Sequence, residues 1–237
     1  MLATGTVFSG DFRVESPLSS GGMGEVYVAT QISTGRKRAL KLMHADLVKD
    51  PRLLERFALE AQVGARIDSE HVVEVIAAGV DPSSSSPYLV MELLEGETLT
   101  EYMDRKGVLP PGEVSELFRQ LCHAIGAAHM AAIIHRDLKP DNVFLSKSRR
   151  ADVRFTVKVL DFGIAKLLAE AQTSRTGAMG TPMWMAPEQT EPGATVTPAA
   201  DVWALGLMAF RALTGRAYWR GAKEGVIERC REHHERS

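Results

Sequence analysis

The pattern of apolar and polar residues near the start of the chain is typical of strands separated by tight turns. The predicted strands are residues 12–18, 25–31, 36–43, 72–80 and 88–92. The loops between the first three carry Ser, Gly and Thr-Gly, as hairpins require. Together they indicate an antiparallel sheet of five strands, which follows a loose lead-in over residues 1–11.

One main helix is predicted between the third and fourth strands. Asp50 would cap its amino terminus, Pro51 would occupy its first turn, and the helix would run to residue 67. Its apolar stripe consists of Leu53, Phe57, Ala61 and Gly64. Glu60 falls on this stripe, and an inward carboxylate needs a cation or hydrogen-bond donors because an unpaired buried charge is costly. The position of Glu60 therefore indicates a functional pair.

The second part of the chain is predicted to be mainly helical. A helix that begins after two consecutive prolines has core residues at helical spacing, whereas His123 and His129 are interpreted as bystanders. The core residues are Val114, Leu117, Leu121, Ile125 and Ala128. Residues 143–145 and 157–160 are predicted to form a hairpin, and residues 201–213 a strongly apolar helix. This order of elements is typical of a two-lobed α+β enzyme with a ligand cleft between the lobes.

Composition and charge narrow the class of function. The 237 residues are 45% hydrophobic and 24% charged, which are ordinary values for a globular protein. The net charge is −2, from 28 basic and 30 acidic residues, so nothing suggests nucleic acid as a partner. Cys122 and Cys230 form neither a metal spacing nor a disulfide framework, which favours the reducing cytoplasm. The first residues do not show the basic-then-apolar pattern of a leader, so none is expected, and the longest apolar run, residues 202–210, is too short to span a membrane.

One stretch concentrates residues that are suited to chemistry rather than to a core. Residues 134–142 read Ile-His-Arg-Asp-Leu-Lys-Pro-Asp-Asn, and the proline argues against a helix interior or a central strand. Further along, Asp161 is followed by Phe162 and Gly163. This combination indicates phosphoryl transfer, in which one Asp steers a hydroxyl proton while an Asn and a second Asp hold Mg²⁺ on the phosphates.

With Ala186-Pro187-Glu188 further on, these motifs identify the chain as similar to the eukaryotic-like serine/threonine protein kinases, most of all the bacterial members. The resemblance implies a two-lobed protein-kinase-like α+β fold over residues 12–237, with an amino-terminal lobe at 12–92 and a carboxy-terminal lobe at 93–237. Lys139 and the Gly180-Thr181-Pro182 stretch resemble serine/threonine rather than tyrosine kinases.

The resemblance also implies a role for each polar residue of the site. Asp137 would orient the substrate hydroxyl and accept its proton, and Lys139 would offset charge on the transferring phosphoryl group. Asn142 and Asp161 would bind Mg²⁺. Lys41 would contact the α- and β-phosphates of ATP and pair with Glu60. His135 and Phe162 would pack structurally, and Asp201 would receive backbone N–H groups of the catalytic loop.

A nucleotide site is implied in the same way. The residues that would contact ATP are Leu18, Ser19, Gly21, Gly22, Gly24, Val26, Ala39, Lys41, Met91, Glu92, Leu94, Phe144 and Asp161. Val26 and Ala39 would cover one side of the adenine and Phe144 the other, with the main chain of Glu92 and Leu94 at its edge. Ser19 departs from the family's glycine, and Ser cannot take positive φ as freely.

Regulation by phosphorylation is a further expectation. Arg136 precedes the catalytic Asp, and kinases with this Arg often receive a phosphorylated residue of the activation loop in a basic pocket. The candidates are Thr173, Ser174 and Thr176. Self-association for autophosphorylation between two copies is implied, and protein Ser/Thr residues are the expected substrates.

Three hypotheses are carried forward, and a serine/threonine kinase is favoured. A pseudokinase acting as an interaction module is the alternative, because Ser19 departs from the pattern and the carboxy-terminal lobe is expected to be truncated. The resemblance implies that an Arg in the missing part pairs with the glutamate of the Ala-Pro-Glu motif, so Glu188 would be left without that partner. A small-molecule phosphotransferase is the third, but the activation segment and its Ala-Pro-Glu motif argue for a protein substrate.

Overall fold

The structure is a computed structural model that describes residues 2–21, 24–43, 66–81, 86–148, 153–162, 182–191 and 193–219. The chain forms two compact units. Of the described residues, the first unit contains those up to Arg66 together with Val73–Glu95, and the second contains Ile67–Val72 together with those from Gly96 onward. The helix predicted over residues 50–67 lies almost entirely outside the described residues.

The first unit is built on a six-stranded antiparallel sheet. Its strands are β1 (Val7–Phe8), β2 (Phe12–Gly21), β3 (Gly24–Gln31), β4 (Lys37–Met43), β5 (Val75–Val80) and β6 (Pro87–Glu92). Their order in the sheet is β1-β2-β3-β4-β6-β5. One face carries a buried core that includes Tyr27, Leu40 and Val90, each no more than 1% exposed.

The sheet has one strand more than the five predicted, because β1 lies within the stretch that was predicted as a loose lead-in. Phe8 pairs with Phe12 across the two strands, and its ring packs edge-on against Tyr88 with the centroids 5.2 Å apart. Only 5% of Phe8 is exposed. Burying a phenylalanine contributes about 1.5–3 kcal/mol, which holds a strand of two residues in place.

The strand predicted to begin at residue 72 begins instead at Val75. Val72 forms a parallel bridge with Val159 of the second unit. The Val159 N–H donates to the carbonyl oxygen of His71 at 2.8 Å, and the His71 ring nitrogen Nδ1 lies 3.1 Å from the carbonyl oxygen of Val157. These contacts place His71 and Val72 beside residues 157–159 of the second unit, so they do not extend the strand of the first unit that begins at Val75.

The second unit combines a small sheet with helices. Its described strands and α-helices are β7 (Gly96–Thr98), α1 (Leu99–Lys106), α2 (Pro111–Met130), β8 (Val143–Ser146), β9 (Thr156–Val159) and α3 (Ala199–Thr214). β7, β8 and β9 form an antiparallel sheet in that order. The predicted hairpin and both helices of this part are confirmed, and the five predicted core residues of α2 are all buried.

β7 and α1 were not predicted. α1 begins with a capping box, in which the Thr98 hydroxyl accepts the Glu101 N–H and the Glu101 carboxylate accepts the Thr98 N–H. Among the residues that the structure describes, no helix is both long and apolar enough to cross a membrane.

Candidate active site

The loop at residues 134–142 connects α2 to β8 and is anchored by one carboxylate of α3. Asp201 is 1% exposed, and its Oδ2 accepts the His135 N–H at 2.9 Å while its Oδ1 accepts the Arg136 N–H at 3.0 Å. This is the role expected for Asp201. A buried carboxylate that accepts two backbone N–H groups has its charge compensated, so it can hold the loop from within the unit.

Three of the predicted catalytic side chains meet in this loop. The Lys139 ammonium lies 2.8 Å from Oδ2 of Asp137. The Asn142 amide nitrogen donates to the Asp137 carbonyl oxygen at 2.7 Å and to Oδ2 at 3.2 Å. The side chains of Asp137 and Lys139 are 18% and 14% exposed. The structure therefore places the carboxylate at the rim of the unit, with a cation and an amide to orient it.

His135 is a packing residue, as expected. It is 1% exposed and its ring lies 4.7 Å from that of Phe162. The Asp137 N–H points to His135 Nδ1 at 3.3 Å, and Nε2 lies 2.8 Å from the carbonyl oxygen of Leu160. Nδ1 must therefore accept and Nε2 must donate, which is the neutral tautomer with its proton on Nε2.

Asp161 is brought to the same loop through the backbone. The N–H of the preceding residue, Leu160, donates to the carbonyl oxygen of Asn142 at 2.9 Å. Asp161 itself has a φ of 60°, in the left-handed region that non-glycine residues rarely adopt. The two predicted Mg²⁺ ligands, Asn142 and Asp161, thus belong to backbone segments that are hydrogen-bonded to each other.

The predicted nucleotide contacts of the first unit share one face of its sheet. Directly paired residues point to the same side, and Val26 pairs with Lys41 while Ala39 pairs with Met91. This face lies opposite the core around Leu40. Lys41 is 9% exposed on it. A basic group is thus held among apolar side chains, as a site for the flat base and charged phosphates of a nucleotide requires.

The glycine-rich turn joins β2 and β3. Gly24 has a φ of 152°, and a Cβ on it would lie 1.9 Å from the carbonyl oxygen of Leu42, so this position requires glycine. Gly21 pairs with Gly24, and Ser19 pairs with Val26 directly after a shift in the strand register between Pro17 and Ser19. Serine at this position is therefore compatible with the strand.

Part of the main chain that is predicted to contact adenine already forms hydrogen bonds within the first unit. The Glu92 N–H donates to the carbonyl oxygen of Glu74 at 3.0 Å, and the Glu92 carboxylate accepts the Glu74 N–H at 2.9 Å. The Glu92 carbonyl is therefore the main-chain group to consider as a contact. Leu94 is half-buried after the end of β6, Phe144 is half-buried in β8 of the second unit, and Leu18 is 52% exposed.

Several predicted residues lie outside the described part of the chain. They are Glu60, Gly22, Thr181 and the three phosphorylation candidates Thr173, Ser174 and Thr176. The pairing of Lys41 with Glu60 and the role of the activation loop therefore stay predictions. The set around Lys41 and the set around Asp137 belong to different units.

Two residues of the site escaped sequence reasoning. His129 was interpreted as a bystander, but its Nε2 lies 2.8 Å from Oδ2 of Asp201. It follows Ile125 by four positions, so the core stripe of α2 could have indicated it. Gln189 donates from its amide nitrogen to the carbonyl oxygen of Arg136 at 2.7 Å. Nothing in the sequence pattern indicated this contact.

The fold and these side chains define a protein kinase domain. The family model described as "Protein kinase domain" matches residues 12–236, and the chain belongs to that family. It is 42% identical to the serine/threonine-protein kinase pkn2 of Myxococcus xanthus over 89% of this chain and 25% of pkn2. It is 33% identical to the serine/threonine-protein kinase PknA of Mycobacterium tuberculosis over 97% of this chain and 52% of PknA.

A solved structure shows the same fold. The crystal structure of the PknI kinase domain of M. tuberculosis is 28% identical, with a TM-score of 0.75, over 94% of this chain and 79% of that one. The prediction of a bacterial-type member of the serine/threonine kinase family is confirmed, and so is the kinase-like α+β fold. The chain spans only between a quarter and about half of the two curated relatives.

Proposed function

We propose that this chain is a serine/threonine kinase domain that transfers the γ-phosphate of Mg-ATP to hydroxyl groups of proteins. The observation that carries the proposal is the hydrogen-bonded group of Asp137, Lys139 and Asn142, held by the buried Asp201. Positioning and electrostatic stabilisation provide most of the catalysis in phosphoryl transfer, and this group offers both. The names of the relatives support the same class of reaction.

Asp137 orients the substrate hydroxyl and takes its proton. Lys139 and Asn142 both contact Oδ2, so we assign Oδ1 as the oxygen that faces the hydroxyl. Lys139 lies close enough to the carboxylate to offset charge on the phosphoryl group as it moves toward the hydroxyl. A proton acceptor placed in this way typically contributes about 10²–10⁴-fold to the rate.

The donor set fits Mg²⁺ bound together with a nucleotide. The Asn142 amide nitrogen faces Asp137, so its oxygen is the ligand atom, and Asp161 supplies a carboxylate. Among the described residues, no group of three or more His, Cys, Asp or Glu is placed to hold a metal ion. Mg²⁺ is usually held by one or two carboxylates plus phosphates, so two protein ligands suffice. When bound, Mg²⁺ would neutralise charge on the phosphates.

ATP would lie on the face of the sheet that carries Lys41. Val26, Ala39 and Met91 supply apolar surface for the adenine, and the turn with Gly24 lets backbone N–H groups approach the phosphates. Lys41 holds the α- and β-phosphates, and we infer that Glu60 pairs with it.

Partners and location follow from the same proposal. The substrates are proteins with accessible Ser or Thr, and two copies associate when one phosphorylates the activation loop of the other at Thr173, Ser174 or Thr176. Nucleic acid is not a partner, in keeping with the net charge of −2. The setting is the cytoplasm, in keeping with the two unpatterned cysteines. A pseudokinase is not favoured because Lys41, Asp137, Asn142 and Asp161 are all present.

The test measures labelled γ-phosphate transferred from Mg-ATP to the chain itself and to a generic basic protein. Asp137→Asn should lower transfer by about 10²–10⁴-fold because it removes the proton acceptor. Asp141→Asn is the matched control, since it makes the same change at an exposed neighbour in the same loop and should keep activity. Nucleotide binding should survive both changes. Bound nucleotide with no transfer by the unmodified chain would contradict the proposal and favour a pseudokinase.

A further inference from the structure

The peptide group between Arg136 and Asp137 is held at both ends. Its carbonyl oxygen accepts the Gln189 amide N–H at 2.7 Å, and its N–H, on Asp137, points to His135 Nδ1 at 3.3 Å. Arg136 has a φ of 67°, a conformation that a non-glycine residue keeps only when its surroundings impose it. The orientation of this peptide group sets the direction in which the Asp137 side chain leaves the backbone.

Gln189 is itself fixed by the turn that contains it. It belongs to the short 3₁₀ turn Pro187–Thr190, which overlaps the Ala186-Pro187-Glu188 motif. Its amide oxygen accepts the Ala186 N–H at 3.0 Å. Because that oxygen faces an N–H donor, the amide nitrogen must be the group that faces the Arg136 carbonyl. One amide side chain therefore connects the turn to the catalytic loop with both of its polar ends.

We propose that Gln189 is a positioning residue, which transmits the geometry of the turn at the Ala-Pro-Glu motif to Asp137, the proposed catalytic residue. This inference rests on the proposed kinase function. Asp201 fixes the N–H side of Arg136 and Gln189 fixes its carbonyl side. Without Gln189 the peptide group keeps, among the described residues, only the long contact to His135, and Asp137 is free to rotate away from the substrate hydroxyl. Displacing a catalytic group by an ångström can cost about 100-fold in rate.

Two variants separate the hydrogen bond from the space that the side chain fills. Gln189→Met keeps the volume and removes both hydrogen bonds. Gln189→Glu, when ionised, can still accept the Ala186 N–H but sets a carboxylate oxygen against the Arg136 carbonyl. Both variants should lower kcat about 10- to 100-fold with the KM for ATP nearly unchanged, because the two hydrogen-bond partners of Gln189, Ala186 and Arg136, are not among the predicted nucleotide contacts.

The Gln189→Glu variant adds a pH signature. A protonated glutamic acid can donate to the Arg136 carbonyl and accept the Ala186 N–H, as glutamine does. The ratio of its kcat to that of the unmodified chain should therefore rise as pH falls from 8 toward the range in which a destabilised carboxylate takes up a proton, about 5–6. Gln189→Met has no such group, so its ratio should stay flat.

Gln120 provides the matched control. It is 2% exposed and also connects two elements, since its amide oxygen accepts the Val157 N–H at 2.8 Å and its nitrogen donates to the Phe155 carbonyl at 3.3 Å. Gln120→Met should lower the melting temperature and keep kcat. A fall in kcat for Gln120→Met as large as that for Gln189→Met would show a general loss of stability and overturn the assignment.

A readout without turnover distinguishes this inference from the proposed function. The backbone amide resonance of Asp137 in a ¹H–¹⁵N spectrum should shift in Gln189→Met, and in Gln189→Glu it should titrate with pH. An unmoved resonance in a folded variant would overturn the inference even if the chain is an active kinase. A shifted resonance in a chain that transfers no phosphate would uphold the positioning role and reject the kinase proposal. If Gln189→Met does not fold, the pH series of Gln189→Glu decides.

Discussion

Single residues at the site depart from the conformations that they prefer on their own. Arg136 and Asp161 both have positive φ. Arg136 directly precedes Asp137, and Asp161 is itself a predicted catalytic residue. Such a conformation costs about 1–3 kcal/mol for a non-glycine residue, and it persists only where the surroundings over-determine it. At Arg136 the bonds from Asp201 and Gln189 do so. At Arg136 this conformation fixes the direction in which the following residue, Asp137, leaves the backbone, whereas Ser9 and Ala132, which also have positive φ, lie outside the site.

Gly24 offers a prediction at a single position of the first unit. Gly24→Ala would combine an unfavourable φ of 152° with a Cβ placed 1.9 Å from the Leu42 carbonyl oxygen, so β3 and β4 would have to separate. We expect a loss of at least about 1–3 kcal/mol in unfolding free energy and weaker nucleotide binding. Gly21→Ala is the control, since a Cβ there meets nothing within 4 Å. Equal melting temperatures for the two variants, measured by circular dichroism, would contradict this prediction.

Helices and strands were predictable from sequence where their own residues determine them. α2 was found because five apolar residues recur at helical spacing, and all five are buried. β1 was missed because a strand of two residues is too short to show an alternating pattern. Its stability comes from the contact of Phe8 with Tyr88, which lies far along the chain. β7 and α1 were missed for a related reason, since each is short and depends on pairing or capping that periodicity does not report.

The start of α1 gives a prediction about capping. Thr98→Ala removes the hydroxyl that accepts the Glu101 N–H, and loss of such a cap typically costs about 1 kcal/mol. Two residues on, the Thr100 hydroxyl is buried, and none of the described residues provides it with a hydrogen-bond partner. Thr100→Val should therefore leave stability unchanged or raise it, since the isosteric methyl has no unmet polar group. Urea unfolding of both variants measures the difference, and a larger loss for Thr100→Val would refute the assignment.

Across the whole chain, the motifs predicted candidate catalytic residues but not the contacts that hold them in place. Asp137 and Asn142 were identified from a short motif and Asp201 from the family resemblance, but the contact of His129 with Asp201 joins residues 72 positions apart. No local pattern encodes the partner of a side chain at that distance, because topology decides which elements meet. The Gln189 contact escaped for the same reason. Motifs report reactive groups, whereas the supporting hydrogen bonds follow from packing.

The stability of the second unit should depend on pH through His71. The residue is 8% exposed, and burial lowers its pKa below the usual 6.5, although the Val157 carbonyl and Glu70 act in the opposite direction. His123 and Arg119, which also face it, lower the pKa further.

With the folded pKa below the unfolded one, the unfolded state binds more protons between the two values. The contribution of His71 is therefore complete above the unfolded pKa and is lost as pH falls through the folded one, with a slope of at most about 1.4 kcal/mol per pH unit. His71→Asn keeps a donor for the Val157 carbonyl oxygen and removes the titration, so its unfolding free energy should change less between pH 7.5 and 5.5. His123 is an exposed neighbour, so the unfolding free energy of His123→Asn should still change with pH nearly as much as that of the unmodified chain. Urea unfolding of both variants and the unmodified chain across this pH range measures the effect. If the unfolding free energy of His71→Asn changes with pH as much as that of the unmodified chain, the prediction is wrong, and the hydrogen bonds from His71 to β9 hold residues 71–72 in place without making the unit sensitive to acid.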